Sequence, residues 1–118
     1  MIKLKEGTAK WEHFGEISPK LGEVFFSFYS KLKDYGVNDI TVTSIIRHKA
    51  DDSGVHAVGR AIDIRADFDY NSIGKYAMEY INQKYTYDIA RGELKTCVYH
   101  STSTYGDEGL HYHLQTRK

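Results

Sequence analysis

Four side chains with metal-binding atoms fall in two short stretches. His56 and Asp63 lie in Ser53-Gly-Val-His-Ala-Val-Gly-Arg-Ala-Ile-Asp63, and His111 and His113 flank Tyr112 near the end of the chain. Two imidazoles and one carboxylate are the ligand set of a catalytic zinc, which keeps one position open for water; a structural zinc is usually closed by four protein ligands rich in cysteine. The single cysteine, Cys97, excludes a cysteine cage. The set therefore predicts a Zn2+ cofactor and hydrolysis, because zinc lowers the pKa of bound water to roughly 7 and polarises a carbonyl as a Lewis acid.

The spacing dictates what must carry these groups. His56 and Asp63 are seven residues apart. On a helix that offset separates them by about 10 Å along the axis, and on a single strand it turns them to opposite faces. The segment must therefore bend. Gly59 supplies the bend, Ala61-Ile-Asp-Ile-Arg65 alternates as a short strand carrying Asp63, and His56 reaches back from the preceding loop. His111 and His113 are simpler, since positions i and i+2 of an extended segment share a face roughly 6.5 to 7 Å apart. Both can face one ion, and the spacing leaves open whether one or both bind it.

The first stretch resembles the Ser-x-His-x-x-Gly-x-Ala-x-Asp signature of the zinc D-alanyl-D-alanine carboxypeptidases and L-alanyl-D-glutamate endopeptidases, which include VanY-like enzymes and many phage endolysins. The terminal triplet is similar to the His-x-His of the wider group that joins them to lysostaphin-type peptidases and the hedgehog signalling domain. Thr43-Ser-Ile-Ile-Arg47 resembles that family's strand-borne Ser-x-x-Arg, whose arginine is associated with substrate binding. Matching elements run from about Thr41 to Gln115. Ser53 stands three residues before His56 rather than two, and the usual acidic residue three before the last ligand falls on Leu110 if His113 is that ligand.

The resemblance implies His56, Asp63 and His113 as the metal ligands, with His111 in the place of the auxiliary histidine of lysostaphin-type sites. The His-Leu-Gln tail favours His113, being similar to the family's His-Phe-Gln ending. If His111 binds instead, Glu108 stands three residues earlier, where the family's catalytic acid does. Glu108 and His111 are thus the candidate acid/base groups, and Arg47 the candidate partner for a substrate carboxylate or oxyanion.

Plainer roles exist for several of these residues. His13, His48 and His100 read as surface or hydrogen-bonded histidines. Glu108 lies in Tyr105-Gly-Asp-Glu-Gly109, where acids are common because turns are solvated, and Arg47 equally suits an exposed charge.

At 118 residues the chain is read as one domain, residues 1–118, with room for one core and no second wall-binding module. Sixteen basic and sixteen acidic residues are interspersed, so no nucleic-acid footprint or attraction to anionic membranes is expected. No partner protein is implied. Met1-Ile-Lys-Leu-Lys-Glu6 lacks the apolar core of a signal peptide, and no stretch approaches the roughly 20 apolar residues of a membrane span. The expectation is synthesis in the cytoplasm and action at the cell wall after lysis, holin release or assembly into a virion.

Ser18-Pro19 signals a helix start, and Leu21, Val24, Phe25, Phe28, Leu32 and Tyr35 recur at helical spacing until Gly36. Strands are expected over Asp39–Arg47 and Ala61–Ala66, with a polar loop from His48 to Val55 between them. Asn71 is expected to cap a second helix with Ile73, Tyr76, Ala77, Tyr80 and Ile81 on one face, ending near Lys84. Extended runs over Tyr87–Arg91, Leu94–Ser101 and Leu110–Thr116 follow, with Gly92 and Gly106 in turns. The fold class is α+β, a small mainly antiparallel sheet with two principal helices. The resemblance makes it hedgehog/D-Ala-D-Ala peptidase-like.

The expected function is a zinc metallopeptidase, a peptidoglycan endopeptidase or D,D-carboxypeptidase of phage or prophage type whose partner is a stem or cross-bridge peptide. The alternatives are a non-catalytic virion or binding module that keeps the fold and ion, and a zinc hydrolase acting on another amide or ester.

Overall fold

The Ser18 hydroxyl accepts a hydrogen bond from the Leu21 amide at 3.1 Å, and Pro19 takes the first helical position, where a missing N–H leaves nothing unpaired. In the computed structural model, which describes residues 1–6, 9–45, 61–65, 70–85, 95–101 and 110–116, this begins helix α1, Pro19–Asp34. The helix ends in a Schellman motif. Val37 N–H donates to the Leu32 carbonyl and Gly36 N–H to the Lys33 carbonyl, both at 3.0 Å, and Gly36 takes the left-handed φ of 90° that glycine adopts without strain. Leu21, Val24, Phe25, Phe28 and Leu32 form the buried stripe. Tyr35, expected on that stripe, falls instead at the C-cap and is exposed.

Among the described residues, five strands form one sheet: β1 (Ile2–Leu4), β2 (Ile40–Ser44), β3 (Ala61–Arg65), β4 (Cys97–Ser101) and β5 (Leu110–Gln115). Their order is β1-β2-β3-β5-β4. β2, β3, β5 and β4 pair antiparallel in turn, whereas β1 lies parallel to β2 with Ile2 opposite Ile40. The sheet is therefore mixed, not mainly antiparallel as the sequence reading had it. Ile2 and Leu4 flank a single lysine over three residues, a run too short to signal a strand in sequence. A short 3-10 helix at Trp11–Gly15 was likewise not foreseen.

Alternation along the strands divides the sheet into two faces. Ile62, Ile64, Tyr112 and Leu114 join Ile40, Val42 and Cys97 in the core under α1 and α2 (Lys75–Lys84). Ala61 and Asp63 are also buried but turn to the other face, so β3 is covered on both sides. In β2 the register slips. Val42 is opposite Ile64 while Ser44 is opposite Asp63, two steps on one strand against one on its neighbour. This β-bulge switches the phase of β2, sending Ile45 to the core and setting Ser44 beside Asp63.

Helix α2 does not begin with an Asn71 cap. A π-helical turn over Tyr70–Gly74 precedes it, so the chain is already coiled at Asn71. Its buried residues are Ala77 and Ile81; Tyr76 is exposed and meets the other misplaced tyrosine, Tyr35, with ring centroids 6.4 Å apart. Asn82 fastens α2 to the sheet. Its amide donates to the Cys97 carbonyl at 2.9 Å and accepts from the Cys97 N–H at 2.8 Å, as a neighbouring strand would.

The strand expected at Asp39–Arg47 is Ile40–Ser44, that at Ala61–Ala66 is Ala61–Arg65, and the last two begin at Cys97 and Leu110. Tyr87–Arg91, the His48–Val55 loop and both predicted glycine turns lie outside the described residues. Among the described residues, no helix is long and apolar enough to cross a membrane.

Candidate metal centre

β3 and β5 are neighbours near the middle of the sheet, and their register sets Asp63 opposite His113 and Arg65 opposite His111. Directly opposed residues of an antiparallel pair bring their Cβ atoms to about 5 Å. The two histidines, alternating along β5, therefore meet the Asp63 carboxylate from one face. His113 Nδ1 lies 2.7 Å from Asp63 Oδ1, and His111 Nε2 lies 3.5 Å from the same oxygen. The imidazole rings stand edge to face, centroids 6.4 Å apart.

One ligand atom from each of the three residues falls within 4.8 Å of the others. Ligand atoms about 2.0–2.2 Å from a shared zinc lie at most about 4.4 Å apart, so small side-chain rotations would close the set around an ion. The donor chemistry, two imidazole nitrogens and a carboxylate oxygen, matches that ion. Burial explains why the carboxylate keeps both imidazoles close. Asp63 is 3 % exposed and His111 6 %, and a carboxylate withdrawn from water needs a cationic or hydrogen-bonding partner.

Comparison with family models, curated proteins and solved structures finds no match to the chain. The reading of Asp63, His111 and His113 as a group that could hold a metal ion thus stands on the side-chain geometry.

Of the sequence-derived candidates, Asp63, His111 and His113 converge; His56, Arg47 and Glu108 lie outside the described residues. Both terminal histidines reach Asp63, with His113 the nearer. Of the histidines given plainer roles, His13 lies in the 3-10 helix, His100 pairs with His111 in the β4–β5 register, and His48 is outside the described residues.

Gln115 carried no role in the sequence reading beyond its place in the His-Leu-Gln tail. It extends the alternation of His111 and His113 by one step, and its Oε1 lies 3.1 Å from His113 Nε2. Its amide nitrogen donates to the Lys95 carbonyl at 2.8 Å. A polar residue at i+2 beyond a ligand on a strand is the signal that could have found it. Thr43 also reaches the site's frame, its hydroxyl donating to the Asp63 carbonyl at 3.4 Å.

Proposed function

We propose that this chain is a zinc metallopeptidase that hydrolyses a peptide bond in the stem or cross-bridge peptides of peptidoglycan. The observation that carries this is the convergence of Asp63, His111 and His113 on one face of the sheet, with ligand atoms within 4.8 Å. The substrate class rests on the sequence resemblance of the His56–Asp63 stretch and the His-Tyr-His triplet to zinc D-Ala-D-Ala and L-Ala-D-Glu peptidases.

Asp63 and His113 would hold the ion, joined by His56 from the sequence motif. Zinc, when bound, supplies water ionisation near neutral pH and Lewis-acid polarisation of the scissile carbonyl. His111 stands beside the ligands with Nε2 3.5 Å from Asp63 Oδ1, and as the auxiliary group it takes the proton that the attacking water loses. Glu108 is the second candidate for that proton and for its delivery to the leaving amine. Arg47 pairs with a carboxylate of the peptide through its planar fork. Access to the wall follows lysis, passage through a holin or assembly into a virion.

Purified cell wall incubated with the protein should release new amino groups, lose that release with chelator and regain it with zinc. His56→Ala and Asp63→Ala should abolish both release and zinc retention on dialysis. Zinc retention without release from any wall type would replace the hydrolase with a binding module, and full retention in both variants would remove the ligand assignment.

A further inference from the structure

We infer that Gln115 is a positioning residue that presets His113 to bind a divalent cation through Nδ1. This rests on the metal site proposed above and specifies which atom of His113 serves it. The side-chain amide of Gln115 can be oriented in only one way. Its nitrogen lies 2.8 Å from the Lys95 carbonyl, an acceptor, so the NH2 group must face Lys95 and Oε1 must face the imidazole. His113 Nε2, 3.1 Å from that oxygen, therefore carries hydrogen. A hydrogen on Nδ1 accounts for its 2.7 Å approach to Asp63 Oδ1, and that hydrogen is the one a cation would replace, because the one on Nε2 is held by Gln115. A ligand imidazole whose other nitrogen donates to a protein acceptor has its ring angle and its metal-facing nitrogen set by that partner. Here the acceptor is itself fixed, by a backbone carbonyl beside the start of β4, so the chain from Lys95 through Gln115 to His113 holds the donor atom in place.

The test uses the full chain and zinc alone, without substrate. NMR of the imidazole nitrogens of the isotopically labelled protein should show His113 Nε2 keeping its hydrogen and Nδ1 taking the zinc. Competition with a chelator should show Gln115→Leu weakening zinc binding by about 10- to 100-fold, the usual effect of removing such a partner. Gln115→Glu should bind zinc at least as tightly as the parent, because either carboxylate oxygen accepts from Nε2 although neither can donate to Lys95. A purely structural latch predicts the reverse, with both variants failing alike. Parent-level affinity in Gln115→Leu, a Glu variant no better than the Leu variant, or zinc on Nε2 overturns the inference while leaving the metal site standing. Absence of zinc binding by the parent removes both. Should the Leu variant fail to fold, the nitrogen assignment in the parent decides alone.

Discussion

Tyr112 fills the space that a side chain at Gly74 would need. A Cβ built on Gly74 would overlap the Tyr112 hydroxyl and come within 2.7 Å of Cζ, and the ring is wedged further by Phe28 and Tyr99 at centroid separations of 5.8 and 5.0 Å. Because Tyr112 sits between His111 and His113, its position on the core face sets theirs on the other. Gly74→Ala should destabilise the fold by about 1–3 kcal/mol, as overpacking does, and should also weaken zinc binding. Adding Tyr112→Phe should recover part of both losses by removing the hydroxyl. Urea unfolding and chelator competition on the two single variants and the double variant measure this; independent, additive effects would separate Gly74 from the site.

Asp63 is the common partner of the two histidines, so its loss should be felt more than either of theirs. Asp63→Asn preserves volume and should abolish zinc retention, while His111→Ala and His113→Ala rank the two histidines, with His113→Ala the more damaging. Equal effects would make both ligands. Metal removal should also lower the melting temperature, since a ligand at 100 times its Kd stabilises by about 2.7 kcal/mol. Thermal melts with and without chelator check this, and Asp63→Asn should show no difference between them.

Asn82 separates stability from metal binding. Replacing it by Ala strips two hydrogen bonds from the Cys97 backbone at the outer edge of β4, and unpaired backbone groups there should reduce stability by about 2 kcal/mol. Zinc affinity should fall less than in Gln115→Leu, because Asp63, His111 and His113 stand on β3 and β5 and only the Lys95 carbonyl that holds Gln115 adjoins β4. A large fall in affinity would show that β4 also positions the site.

Burial raises the pKa of the Cys97 thiol far above its ordinary value of 9.0. The folded chain thus keeps the proton in a range where the unfolded chain releases it. The stabilisation from this group is complete below 9.0 and declines as pH rises through the alkaline range, with a slope approaching about 1.4 kcal/mol per pH unit. Cys97→Ala should lack this component. Unfolding free energies between about pH 8 and 10 for both proteins test the sign, and a thiol reagent should label Cys97 in the parent only as fast as the chain opens.

The first helix was legible almost to the residue because Ser18, Pro19 and Gly36 each have a local backbone reason to stand where they do. Asp63 and the two histidines were legible from chemistry and from the two-residue period of β5. Tyr35 and Tyr76 were misassigned because helical periodicity cannot tell the last turn of a stripe from its rim, where an aromatic ring packs as well against another ring as against the core. Asn71 offered cap chemistry, but the turn over Tyr70–Gly74 had already begun to coil. The Ser44 bulge and the parallel pairing of β1 are relations between distant segments, and no local pattern encodes them.

Asp63, His111 and His113 occupy interior strands, with β1 and β4 at the two rims of the sheet. Fraying begins at rims, where amides exchange with solvent first. Ion release should therefore follow deep opening events of the domain, and trimming of the β1 rim would leave the grip on the ion intact.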